Sequence, residues 1–263
     1  MAARADPPRW LALWLAACLL MPSHGGAAAG AAPVYLWAWD RAEDLRWLQD
    51  GTPRDARRYG VAYFAVQFDA DGDNLRATWR RAPLRVATGT PLLPVLHIEA
   101  FSARHAALFN DVALANWTRA LAQAIARLGT PAVQIDFEAR ASQKDFYRAL
   151  LARLQQQLQG RVRLSVTALA WWCSDPAWLA SLPVDEVVPM FFRMGAGERA
   201  HWRARLAGPA TLPAPCRAAA GVALDELQAL GRPAAGDRRR WYVFVPASWR
   251  REHVEVLGQW LPP

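Results

Sequence analysis

Two carboxylates stand two residues apart in the segment Val133-Gln134-Ile135-Asp136-Phe137-Glu138. Read as a strand, the segment alternates. Val133, Ile135 and Phe137 take one face, and Gln134, Asp136 and Glu138 the other. Burying unpaired charge is costly, so a purely structural strand has no reason to set two carboxylates side by side near a core. Their repulsion would raise one pKa, which is the property a general acid needs. Other segments end in polar groups of the same kind. His97 and Glu99 share a face of residues 92–100, Gln67 and Asp69 share a face of 60–69, and Asp40 closes 34–40. Arg193 lies at the end of 184–194 and Asp225 at the end of 216–225.

Each of these groups has a plainer reading. Asp136 and Glu138 fit a hydrogen-bonded pair near a strand end, and His97 with Glu99 a satisfied core pair. Arg193 fits a counter-charge to Asp136 or Glu138, and Asp225 with Glu226 a helix cap. His97, Glu99 and a lumen aspartate lack any metal-ligand spacing, so neither a metal nor a cofactor is expected. Trp37, Trp39, Trp171, Trp172 and Trp249, five of 14 tryptophans, fall near strand ends. Flat aromatic faces stack on sugar rings, although packing is the commoner use of any one tryptophan.

The elements that must position these groups alternate between strand and helix. Strands are expected over 34–40, 60–69, 92–100, 132–139, 161–172, 184–194, 216–225 and 241–245. Helices are expected over 43–48, 106–128, 142–158 (with Ser142 as N-cap), 175–182 and 251–261. Alternation implies parallel pairing, and eight such units predict an α/β fold, a single (β/α)8 TIM-type barrel over 33–263. An open doubly wound sheet is the alternative. A hairpin insertion is expected after the second strand, within 75–90 and with 84–88 as one arm. A long loop rich in Pro and Ala is expected over 196–220, after the sixth strand. In such a barrel the active site lies at the C-terminal strand ends. Asp136, Glu138, His97, Glu99 and Arg193 should therefore converge in one pocket.

The bulk numbers bound the classes. Hydrophobic residues make up 53% of the 263, which supports a large core. The net charge of +8 alone would suggest nucleic acid. Lys144 is the only lysine, however, and the arginines are scattered, so no nucleic-acid partner is expected. Arg4 and Arg9, the apolar run 10–21 and the small residues 25–32 read as an export signal over 1–32. Leu15-Ala16-Ala17-Cys18 also matches a lipoprotein signal, so a lipid anchor at Cys18 stands as the sole membrane attachment considered; an uncleaved buried helix is a third reading. The protein is expected to be periplasmic or extracellular. After the leader two cysteines remain, Cys173 and Cys216, which export would pair as a disulfide and which otherwise are two buried thiols.

The segment ending in Glu138 resembles the fourth-strand motif of family-18 glycoside hydrolases, D-G-x-D-x-D-x-E. Glu138 matches that family's catalytic acid and Asp136 the aspartate two before it. Pro131 and Gln134 replace the outer aspartates. The sixth-strand M-x-Y-D is represented by Met190-Phe191-Phe192-Arg193, without the tyrosine or the aspartate that handle the substrate's N-acetyl group. A wider resemblance covers most of the chain after the leader. Blocks 134–138, 165–169, 184–190, 192–195 and 221–226 look like an uncharacterised bacterial family of exported barrels, described as a domain of unknown function. The resemblance implies a barrel that acts on or binds a polysaccharide. Glu138 would be the general acid, oriented or raised in pKa by Asp136, with Glu99 as base or nucleophile. Arg193, His97, Gln134, Asp69, Trp39, Trp172 and Asp225 would hold the substrate. The alternative is a non-catalytic, glycan-binding pseudo-glycosidase of the cell envelope.

Overall fold

The computed structural model describes residues 34–50, 59–100, 109–206 and 211–261. The leader expected over 1–32, with Cys18, lies outside the described residues. In chain order the elements begin with β1 (Val34–Ala38), β2 (Glu43–Leu45), β3 (Tyr59–Asp71), β4 (Asn74–Trp79), β5 (Leu84–Val86) and β6 (Leu92–Glu99). Then follow α1 (Asp111–Leu128), β7 (Ala132–Asp136), α2 (Lys144–Leu158), β8 (Arg163–Leu169), α3 (Pro176–Ala180) and β9 (Glu186–Met190). The chain ends with α4 (Ala196–Leu206), β10 (Ala219–Ala223), α5 (Leu227–Leu230), β11 (Arg240–Phe244) and α6 (Arg251–Trp260).

Eight parallel strands run in the order β1-β11-β10-β9-β8-β7-β6-β3, and a parallel β1–β3 pairing closes them into a (β/α)8 barrel. The alternating strand pattern separates two cores. Outward residues such as Leu36, Val61, Ile98, Val133, Ile135 and Val166 pack under the helices. Inward residues Tyr35, Trp37, Ala62, Leu93, Val95, Val188, Ala219 and Tyr242 fill the lumen. Two glycines make room for that filling. A Cβ on Gly60 would lie 2.6 Å from the Tyr35 ring, and one on Gly221 2.8 Å from the Trp37 ring. The helices are bounded as their ends suggest. Asn110 caps α1 by accepting from the Ala113 amide at 2.8 Å, and left-handed Gly129 stops it.

Four sequence expectations are corrected. Residues 43–48 form β2 and a 3₁₀ turn (Arg46–Gln49) rather than a helix, because β2 pairs with β5 and the buried Glu43 carboxylate accepts from the Trp249 amide. The hairpin exists, but its arms are β3 and β4, turned at Gly72 (φ +58°), and the 84–88 segment pairs with β2 instead. The region expected as a long loop carries α4, held by buried Trp202 and Leu206. Ser142 lies inside a 3₁₀ turn (Ala141–Gln143) that precedes α2, so it is not the cap of that helix. Cys173, in a turn after β8, and Cys216, in a turn before β10, form a disulfide with Cα atoms 6.2 Å apart. That separation is within the bridgeable range. Among the described residues no helix is long and apolar enough to cross a membrane.

Candidate functional site

Strand β7 delivers the first groups. Its outward residues Val133 and Ile135, followed by Phe137, are buried under the helices, so parity turns Gln134 and Asp136 into the lumen. Asp136 is buried and both its oxygens are occupied. Oδ1 accepts from the Thr167 hydroxyl at 2.6 Å, and Oδ2 faces His97 Nδ1 at 2.8 Å. Thr167 comes from β8 and His97 from β6, the two neighbours of β7. Gln134, one layer deeper, accepts from the Trp37 indole at 2.8 Å and donates to Ser165 at 3.2 Å.

Glu138 stands just past the end of β7, with its side chain exposed at the barrel mouth. Its pKa is raised above the ordinary carboxylate value. Crowding by protein is the main cause, Asp136 adds repulsion, and His97 opposes both. His97 is also raised. Burial works against its charged form, but the Asp136 hydrogen bond and the charges of Asp136, Glu99 and Glu138 together outweigh that penalty.

These groups share a cavity of about 190 Å³. Its walls are Trp37, Trp39, Phe192 and Phe244, with Val95 and Met190. Gln134, Asp136 and Thr167 form the polar floor, and His97 and Glu138 the remaining side. The aromatic wall is mutually packed. Phe192 stacks on Phe244 at 5.8 Å, Trp37 tilts against Phe192 at 6.0 Å, and Trp39 meets the His97 ring edge-on at 5.4 Å. An apolar wall facing acid–base groups suits a ligand with flat C–H faces and polar rims.

The expected residues therefore divide. His97, Gln134, Asp136, Glu138 and Trp39 come together around the cavity. Asp69 and Glu99 are register partners on β3 and β6 beyond its edge, and Gln67 donates to both, at 2.7 and 3.3 Å. Three placements correct the sequence reading. Arg193 does not reach Asp136 or Glu138. Phe192 takes the lumen position after Met190, and Arg193 turns away in a left-handed conformation (φ +57°). Its guanidinium pairs with Asp225 at 2.9 Å and Glu226 at 2.9 Å, so Asp225 is also engaged outside the cavity. Trp172 is fully buried behind β8, edge-on to Trp178 at 5.0 Å and against Tyr147, with no face turned to the lumen. The chain leaves strand geometry at Ala170, which ends the parity that would have aimed it inward.

Thr167 and Phe244 were missed. Thr167 was detectable, because Ser165 and Thr167 alternate with Leu164 and Val166 as Gln134 and Asp136 do with their neighbours. Phe244 carried no signal, since an aromatic at a strand end reads equally as packing.

No family model and no curated protein matches the chain. Among solved structures, a chitinase of glycoside hydrolase family 18 from Chromobacterium violaceum is similar, with a TM-score of 0.52. The match covers 87% of this chain and 81% of that one at 11% identity. At that identity the likeness is one of fold, and it agrees with the closed barrel described above.

Proposed function

We propose that this barrel hydrolyses a polysaccharide, with Glu138 as the general acid. The observation that carries the reading is one carboxyl of raised pKa at the mouth of an aromatic cavity, next to a second carboxylate already fixed by hydrogen bonds. A general acid at a sugar bond must hold its proton near working pH and yield it to the leaving oxygen. Trp37, Trp39, Phe192 and Phe244 supply stacking faces for the ring. The likeness in fold to a chitinase is consistent with a carbohydrate ligand. The disulfide supports a location outside the cytoplasm.

A second reading, a glycan-binding barrel without turnover, is favoured by one observation. Phe192 and Arg193 occupy the places where chitinase-like barrels carry a tyrosine and an aspartate, and Arg193 is committed to Asp225 and Glu226. A glycan array on the leader-free protein, followed by hydrolysis assays on every bound glycan, separates the two. Product formation that disappears in Glu138→Gln supports hydrolysis, whereas binding without product supports the second reading.

A further inference from the structure

We propose that His97 is a second proton-transfer group of this cavity, held in its working tautomer by Asp136. The inference deepens the reading of Glu138 as acid and rests on it. Asp136 has no oxygen to spare: Thr167 donates to Oδ1 at 2.6 Å, and His97 Nδ1 lies 2.8 Å from Oδ2. A buried carboxylate engaged in this way is poorly placed to attack a sugar carbon or to touch Glu138. Its acceptor oxygen requires the hydrogen of His97 to sit on Nδ1, which makes Nε2 the nitrogen that gains and loses a proton. His97 lines the cavity with Glu138, and among the described residues Nε2 has no hydrogen-bond partner. Trp39 and Phe64 lie against the ring with centroids at 5.4 and 6.4 Å, which restrains the imidazole. An aspartate orienting a histidine whose far nitrogen faces the substrate is the arrangement that serves proton transfer in hydrolases generally.

The charged surroundings are compatible with that role. On the β7 side stand Asp136 and Glu138, and on the same strand as His97 stands Glu99. On the β3 side Gln67 bridges Asp69 and Glu99. Beyond Trp39, the Arg80 guanidinium donates to the carbonyls of Ala82, Trp39 and Arg41. In hydrolysis Glu138 gives its proton to the glycosidic oxygen as the C–O bond to the leaving sugar breaks. Water forms the new C–O bond and passes its proton to His97 Nε2, and solvent returns that proton to Glu138. The reactive pair holds one exchangeable proton. When both groups are protonated there is no base, and when neither is there is no acid, so the rate is bell-shaped in pH with limbs that belong to the pair.

The test is side-chain ¹⁵N NMR of His97 in the leader-free protein across pH, alongside hydrolysis rates on a glycan that Glu138 cleaves. The expected neutral form is the Nδ1–H tautomer, with a titration midpoint above that of an ordinary histidine. Asp136→Asn should lower that midpoint and move the alkaline limb of the rate profile with it. His97→Gln should cut turnover by roughly 10²-fold or more and abolish the acid limb, leaving a single fall in rate as Glu138 loses its proton. An Nε2–H tautomer, or a His97→Gln protein with the wild-type rate and profile, overturns the proposal. If the wild type hydrolyses no glycan although the tautomer is as expected, the reading of Glu138 fails and takes the relay with it.

Discussion

The lumen carries ionisable side chains at both ends, and the two groups are built differently. At the N-terminal end, Glu186 accepts from Ser165 at 2.9 Å and from the Tyr242 hydroxyl at 2.6 Å, and it pairs with Arg240. Burial and the neighbouring Glu186 charge hold the Tyr242 phenol well above its ordinary pKa, so it remains a neutral donor. Arg240 loses to desolvation but is held raised by Glu186 and Tyr242. The Glu186 and Arg240 charges pair with each other across the intervening β10. At the C-terminal end, Asp136 is equally well held, but Glu138 stands exposed past the strand and His97, hydrogen-bonded to Asp136, lines a cavity. Low-dielectric surroundings make a fully paired cluster a clamp and a partly paired one a reactive site. The comparison separates the groups that hold the barrel from those that would act on a ligand.

That division can be broken at several points. The largest expected effect is at the mouth: Glu138→Gln should reduce turnover by about 10²–10⁴-fold, with glycan binding retained, because only the proton is lost. At the other end, Glu186→Leu should lower unfolding free energy by about 2 kcal/mol, because Arg240 and Tyr242 lose their shared partner. The figure sits below that of a fully buried pair because the Arg240 side chain keeps 32% of its surface in solvent. Urea unfolding measures it, and an unchanged midpoint would mean the clamp contributes nothing.

Trp37 links the two ends, since its ring lines the cavity while its indole donates to Gln134, which donates to Ser165, which in turn donates to Glu186. Gly221→Ala should therefore cost about 1–3 kcal/mol and also weaken ligand binding, because the added methyl collides with that ring. A stability loss with binding untouched would show that the wall yields elsewhere.

The smallest effect is a pH dependence. Glu138 has a folded pKa raised above its ordinary value, so its contribution to stability is full at low pH and lost as pH rises through the folded pKa. Glu138→Gln, which cannot ionise, should match the wild type in acid and exceed it at neutral pH. Thermal unfolding of both proteins across that range checks the sign, and a variant less stable at neutral pH would contradict it.

Much of this was legible in the sequence because period-two alternation carries both the strands and the facing of their residues. Asp136, Gln134 and His97 follow from that parity alone. It fails where the backbone leaves the strand. Trp172 reads as a strand end until a 3₁₀ turn starts at Ala170, and Arg193, read into the pocket from its place at a strand end, follows lumen-facing Phe192 in a left-handed conformation and pairs with Asp225. The helix expected over 43–48 was lost to a long-range pairing with residues 84–86, which no local pattern reveals. The proton positions of the His97–Asp136–Thr167 group depend on three neighbouring strands and were likewise out of reach of a single segment.

The most direct measurement is the hydrolysis rate of one array-selected glycan by wild type, Glu138→Gln and Glu186→Leu, each with its unfolding midpoint. The account predicts that Glu138→Gln loses turnover by orders of magnitude at undiminished stability, while Glu186→Leu loses stability and, kept below its midpoint, retains the wild-type rate. A Glu138→Gln protein that cleaves the glycan at the wild-type rate would contradict the account.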